Sequence, residues 1–70
     1  MSEYKLIISL SNGIQCSGVM SVDFAKYHFG NMFNNSEIHI SIMKFNQSSG
    51  SLTKLYERID GEWKEYSIDL

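Results

Sequence analysis

Residues 21–35 carry apolar side chains at the spacing of an amphipathic helix, and no other segment of the chain does so. Successive helical residues turn by about 100°, so these apolar positions fall on one stripe that the helix can bury. Ser21 is a favourable N-cap, and Asn34 and Asn35 can adopt the left-handed conformation that ends a helix. We therefore predict one helix, with a buried stripe of Val22, Ala25, Phe29, Met32 and Phe33.

The segments before this helix alternate between apolar and polar residues, as half-buried strands do. Residues 3–10 and 14–20 are two such strands, and an Asn-Gly pair between them indicates a hairpin. A two-residue loop would set apolar side chains opposite polar ones. A three-residue loop with a left-handed Gly13 sets Ile8 opposite Cys16 and keeps the apolar residues on one face, so we predict this register.

The segments after the helix also have the pattern of strands. Residues 37–45 are partly apolar on both faces, which indicates a central strand. Residues 52–59 and 62–68 flank Asp60 and Gly61, a pair typical of a two-residue type I′ hairpin turn.

The register of this second hairpin pairs Arg58 with Trp63 and Glu57 with Lys64. We expect Tyr56, Arg58 and Trp63 to share the face of the sheet that points away from the helix. The opposite face is assigned to the core side, and it carries Leu55, Glu57, Ile59, Lys64, Tyr66 and Ile68.

These elements predict an α+β fold, in which a single antiparallel sheet has one α-helix packed across one face, in the order β-β-α-β-β-β. Residues 1–70 are expected to form a single domain. A domain of this size is marginally stable alone, so a protein partner or a homo-oligomer would suit it.

Composition and charge indicate the compartment of the protein and the classes of partner that it does not bind. The chain has one cysteine and therefore no internal disulfide, which is typical of a reducing compartment. The N-terminal residues lack the pattern of a signal peptide, and the apolar runs are too short to span a bilayer. The formal net charge of −2 provides no overall attraction to nucleic acid or anionic lipid. We expect a cytoplasmic protein that binds neither membrane nor nucleic acid.

Catalytic and metal-binding residue patterns are weak. Cys16 with His28 or His39 has the residue types of a thiol and its base, but no local signature surrounds Cys16, and a small core cysteine explains it better. These three residues also lack the short paired spacings of zinc ligands. We therefore predict no catalytic residues, no metal site and no cofactor.

The aromatic residues are the stronger candidates for function. Tyr, Trp and Arg are the side chains most enriched at binding hot spots. In the predicted arrangement several such side chains lie outside the buried stripe or on the uncovered sheet face, and we take as partner-binding candidates Tyr56, Arg58, Trp63, Phe24, Tyr27 and His28. The alternative is that Trp63 packs on its neighbour Arg58 and only covers the sheet.

We expect a non-catalytic protein-binding module that acts through the open sheet face or an exposed strand edge. In size, mild acidity and lack of catalytic residues, the chain resembles the small phage inhibitors of host enzymes and defence complexes, anti-CRISPR proteins among them. The alternative is an oligomer with small-molecule or nucleotide pockets at subunit interfaces, using Tyr27, His28, Asn31 and Asn34. A third interpretation, nucleic-acid stacking on the sheet, lacks a basic groove beside the aromatics.

Overall fold

The computed structural model describes residues 3–66, which contain one helix and five strands. The strands form one antiparallel sheet in the spatial order β2-β1-β3-β4-β5, and the helix lies on one side of it. This arrangement confirms the predicted fold class and the central position of the third strand. In chain order the elements are β1 (Tyr4–Leu10), β2 (Gln15–Met20), α1 (Val22–Met32), β3 (Ile40–Asn46), β4 (Ser51–Ile59) and β5 (Glu62–Glu65).

The first hairpin has the predicted three-residue loop. The Leu10 amide donates to the Ile14 carbonyl at 2.8 Å, and Ile8 lies opposite Cys16. Gly13 has a φ of 95°, a conformation that residues with a Cβ rarely adopt. The loop therefore fixes the register that keeps the apolar residues of β1 on one face.

The second hairpin also has the predicted register. Asp60 and Gly61 have φ angles of 52° and 83°, as a type I′ turn requires, and Arg58 lies opposite Trp63. The predicted last strand extended to position 68, and positions 67 and 68, including Ile68, lie outside the described residues.

The core lies between α1 and the sheet. Ser21 caps the helix as predicted, because its hydroxyl accepts a hydrogen bond from the Phe24 amide at 3.1 Å. The prediction for Met32 is wrong: this residue is 56% exposed, because it lies at the margin of the apolar stripe in the last turn of the helix. The buried residues are Leu6, Ile8, Leu10, Ala25, Phe29, Ile40, Ile42 and Leu55.

A β-bulge between β3 and β4 overturns the predicted faces of the second hairpin. Ile42 pairs with Tyr56 while Met43 pairs with Lys54, so Leu55 is an extra residue in β4. Leu55 and Tyr56 both pack on the core side, and the alternation beyond them is reversed.

As a result Tyr56, Arg58 and Trp63 lie on the helix side, whereas Glu57 and its partner Lys64 lie on the opposite side with Ile59 and Tyr66. Of the residues predicted for the core side that lie within positions 3–66, Leu55 alone is in the core.

The helix ends differently from the prediction. Its last residue is Met32, Phe33 is the C-cap, and neither Asn34 nor Asn35 has a positive φ. Asn35 instead starts a turn, in which its side chain accepts from the Glu37 amide at 2.9 Å, and β3 therefore begins at Ile40 rather than at position 37.

Candidate functional site

The side of the sheet opposite α1, which we call the open face, is not covered by any element of residues 3–66. The pairing registers place its side chains in rows that run across the strands. At one end of the sheet, adjacent rows bring together a set of apolar side chains that we call the apolar patch, consisting of Ile7, Val19, Met43, Phe45 and Leu52.

Much of the apolar patch is accessible to solvent. Val19 and Leu52 are 69% and 48% exposed, and the other members are half-buried by their neighbours in the sheet. Lys5 lies directly across from Val19, and its ammonium lies 5.3 Å from the centre of the Phe45 ring, so it stands between these two members of the patch. A hollow of about 490 Å³ at this end of the sheet includes Lys5, Val19 and Phe45 in its lining. This end of the open face is therefore apolar, with one cation, Lys5, among its side chains.

The other end of the open face is polar and is organised by Glu57. Its carboxylate accepts from the Tyr66 hydroxyl at 2.6 Å, from the Lys54 ammonium at 3.3 Å and from the Ser41 hydroxyl at 3.5 Å. The Tyr66 bond is the main reason that the pKa of Glu57 lies below its ordinary value, although partial burial opposes this shift. The same bond raises the pKa of Tyr66. The two ends of the open face thus have different chemistry.

Arg58 is buried beneath the C-terminal end of α1 rather than exposed on the open face. It is only 5% exposed, and its guanidinium donates to the carbonyls of Gly30, Phe33, Asn35 and Ile38. These groups belong to the C-terminal end of α1 and the segment after it, where the helix dipole favours a positive charge. Arg58 therefore caps the helix from the sheet, and it does not have the exposed position predicted for it.

A shallow cleft of about 410 Å³ separates α1 from the second hairpin. The Lys26 ammonium lies 4.0 Å from the centre of the Tyr56 ring and 5.6 Å from that of Trp63. The hydroxyl of Tyr56 donates to Glu65 at 2.7 Å, and this bond raises the pKa of Tyr56. The lining of the cleft consists of Asp23, Lys26, Tyr27, Gly30, Asn31, Arg58, Gly61 and Trp63.

The predicted contact residues are thus divided between different places. Tyr27, which is 74% exposed, joins Arg58 and Trp63 at the cleft. Phe24 and His28 stack on each other instead, with ring centres 5.4 Å apart.

The residues considered for catalysis occupy separate elements. Cys16 lies half-buried on the helix side of β2, and His28 belongs to the helix. The Nε2 atom of His39 is 3.8 Å from the carboxylate of Asp60 at the second hairpin. The structure therefore does not bring Cys16, His28 and His39 together into one site.

Sequence reasoning did not identify the apolar patch, although a signal for it exists. Ile7 in the first strand, and Met43 and Phe45 in the third, interrupt the polar side of the period-two pattern. Only the strand order shows that these positions are neighbours, since β1 and β3 are far apart in the chain.

No family model matches the chain, and no curated protein or solved structure shows significant similarity to it. Within residues 3–66, no helix has the length and apolar character needed to cross a membrane.

Proposed function

We propose that this chain is a non-catalytic protein-binding module and that the apolar patch is its contact surface. The observation that carries the proposal is the clustering of Ile7, Val19, Met43, Phe45 and Leu52 on a sheet face without a covering layer. An antiparallel sheet tolerates one solvated face when that face is polar, but here one end of it is apolar. Exposed apolar clusters with a polar surround are typical of protein-interaction sites.

The charges beside the patch suggest the character of the partner. Lys5 lies between Val19 and Phe45, and Lys54 lies directly across from Met43. A partner whose apolar surface also carries acidic side chains would complement this arrangement, because complementary charges guide association and select partners. We further propose that the partner is an enzyme or a defence complex that the contact inhibits, as the small phage inhibitors do.

The test is a comparison of two variants as affinity baits. Leu52→Ala, in the apolar patch, removes an exposed apolar side chain, and Gln15→Ala is the matched control at the polar end of the same face. Neither side chain belongs to the core, so both variants should fold. A protein retained by the wild type and by Gln15→Ala, but depleted on Leu52→Ala, identifies the partner and the surface together.

The purified pair then permits a quantitative test. Phe45→Ala should raise the dissociation constant by about 30-fold, which corresponds to about 2 kcal/mol at a hot spot. An affinity unchanged in the folded Phe45→Ala variant would refute the proposed surface. A salt-sensitive shift of single-stranded oligonucleotide, lost in this variant, would assign the face to nucleic acid instead.

Small-molecule or nucleotide binding is a second candidate, and the cleft favours it. Tyr27 and Asn31, both named for this function on sequence grounds, line the cleft beside Trp63. Its volume of about 410 Å³ falls in the range of small-ligand sites. Because Trp63 is the one tryptophan of the chain, a nucleotide that binds there should change the intrinsic fluorescence. Unchanged fluorescence across a nucleotide panel would reject this candidate.

A further inference from the structure

The two edges of the sheet differ in how well they are protected against further pairing. The β5 edge is four residues long and carries Glu62, Lys64 and Glu65. The β2 edge is six residues long, and its sequence, QCSGVM, has neither a charged residue nor a proline. Short length and charge are the usual means by which proteins protect a strand edge. The β2 edge has neither.

The hydrogen-bonding pattern shows which groups this edge presents. At the loop, the Leu10 amide donates to the Ile14 carbonyl and the Leu10 carbonyl accepts from the Gly13 amide, so Leu10 directs both groups towards β2. In an antiparallel ladder every second pair is hydrogen-bonded, so the pairs formed by Cys16, Gly18 and Met20 with β1 are hydrogen-bonded. The residues between them direct their amides and carbonyls outward, away from β1. These residues, all exposed, are Gln15, Ser17 and Val19.

The outward groups are symmetric about Ser17, which allows the strand to pair with a copy of itself. With a two-fold axis perpendicular to the sheet and midway between the two strands, Ser17 faces Ser17 of the second copy and Gln15 faces Val19 of that copy. Each such pair exchanges two hydrogen bonds. We propose that two copies of this chain associate through antiparallel pairing of their β2 strands, which joins the sheets into one.

The chemistry of the edge favours a second copy as the occupant. Two identical strands with charges would place like charges close together, and β2 has none. The axis keeps both helices on one side of the joined sheet, so Cys16 and Met20, which are half-buried on the helix side, gain a neighbouring strand. Val19, which is 69% exposed, gains a neighbouring strand on the open face.

The oligomeric state is the first test. The full chain should have twice its mass of 8.0 kDa by light scattering, and Ser17→Lys should return it to the monomer, because two lysines would face each other across the axis. Ser17→Thr is the matched control and should remain dimeric. Both changes lie at an exposed edge position, and circular dichroism checks that the variants are folded.

The register is tested by cysteine substitution in a Cys16→Ser background. At Ser17→Cys the two Cα atoms are expected about 5.5 Å apart, within the range that a disulfide spans. At Val19→Cys they are separated by four residues along the strand, or about 13 Å. Mild oxidation should therefore yield a covalent dimer from Ser17→Cys and not from Val19→Cys, although Val19 is exposed on the same face.

Each contrary result has a definite meaning. A monomeric wild type overturns the proposal and leaves the β2 edge for a foreign strand. A dimer that survives Ser17→Lys overturns it as well, because the interface then lies elsewhere. Equal cross-linking of both cysteine variants rejects the register. These results can be told apart from failure of the apolar-patch proposal, because Leu52→Ala should reduce the amount of captured partner and leave the mass of the dimer unaltered.

Discussion

Replacement of Arg58 by methionine tests the most unusual interaction in the core. The guanidinium, 5% exposed, donates to four carbonyls at and after the end of α1, and it forms no ion pair with a carboxylate of residues 3–66. Methionine has a similar length and no donor. Arg58→Met should therefore remove the arginine donor from the carbonyls of Gly30, Phe33 and Ile38 while disturbing the packing little. The Asn35 carbonyl keeps its bond from the Ile38 amide at 3.0 Å.

The expected loss can be bounded from the contacts. A buried acceptor that loses its partner costs about 1–3 kcal/mol. The Asn35 carbonyl keeps the Ile38 amide as a donor, and removal of a buried charge recovers part of its desolvation energy. We expect a net destabilisation of about 3 kcal/mol. A chain of 70 residues has a total stability of roughly 3.5–10 kcal/mol, so this loss is large.

Urea unfolding followed by circular dichroism measures the effect directly. Arg58→Lys should be affected less than Arg58→Met, because lysine keeps the charge near the helix end but cannot reach all of the carbonyls. Lys26→Met is the control, since it removes an accessible cation from the same cleft and should cost less than about 1 kcal/mol. If Arg58→Met were as stable as the wild type, the capping role of Arg58 would be refuted.

Three further outcomes are expected. Gly13→Val should destabilise the fold by about 1 kcal/mol or more, because valine resists the φ of 95° that Gly13 adopts, whereas the space around the site is open. An unchanged melting temperature would contradict this. Phe29→Ala should cost about 3–5 kcal/mol and Met32→Ala less than about 1, because only Phe29 is buried; equal losses would mean that the helix is rotated. Because the folded state lowers the pKa of Glu57, its carboxylate stabilises the fold above the ordinary carboxyl pKa, and this contribution fades as the pH falls through the lowered value. The stability gap between wild type and Glu57→Gln should therefore narrow from neutral pH to about pH 3, and a constant gap would contradict the assignment.

Both hairpins could be predicted from the sequence because local turn chemistry sets their registers. Gly13 can adopt the left-handed conformation of a three-residue loop, and Asp60 with Gly61 suits a type I′ turn. The start of the helix could be predicted equally well, because the Ser21 hydroxyl accepts from the Phe24 amide in the first turn of the same helix. These features depend on residues close together in the chain.

The faces of the second hairpin could not be predicted in the same way. The bulge at Leu55 arises where β4 meets β3, and no local sequence signal marks it. It places Leu55 and Tyr56 on one side, so the apolar Leu55 and Ile59 lie on opposite faces despite their even spacing. The helix end was missed for a related reason, because the groups that satisfy it come from Arg58 in a distant strand.

The bulge also explains why residue type was a poor guide to which side chains lie on the open face. A domain with one helix has few large side chains available to cover five strands, and here Tyr56, Arg58 and Trp63 are used to pack against the helix and core. The aliphatic and aromatic residues that remain on the open face are not covered by any described element. In so small a domain, Tyr56, Arg58 and Trp63 are used for the fold itself, so the enrichment of Tyr, Trp and Arg at interfaces does not by itself mark an exposed surface.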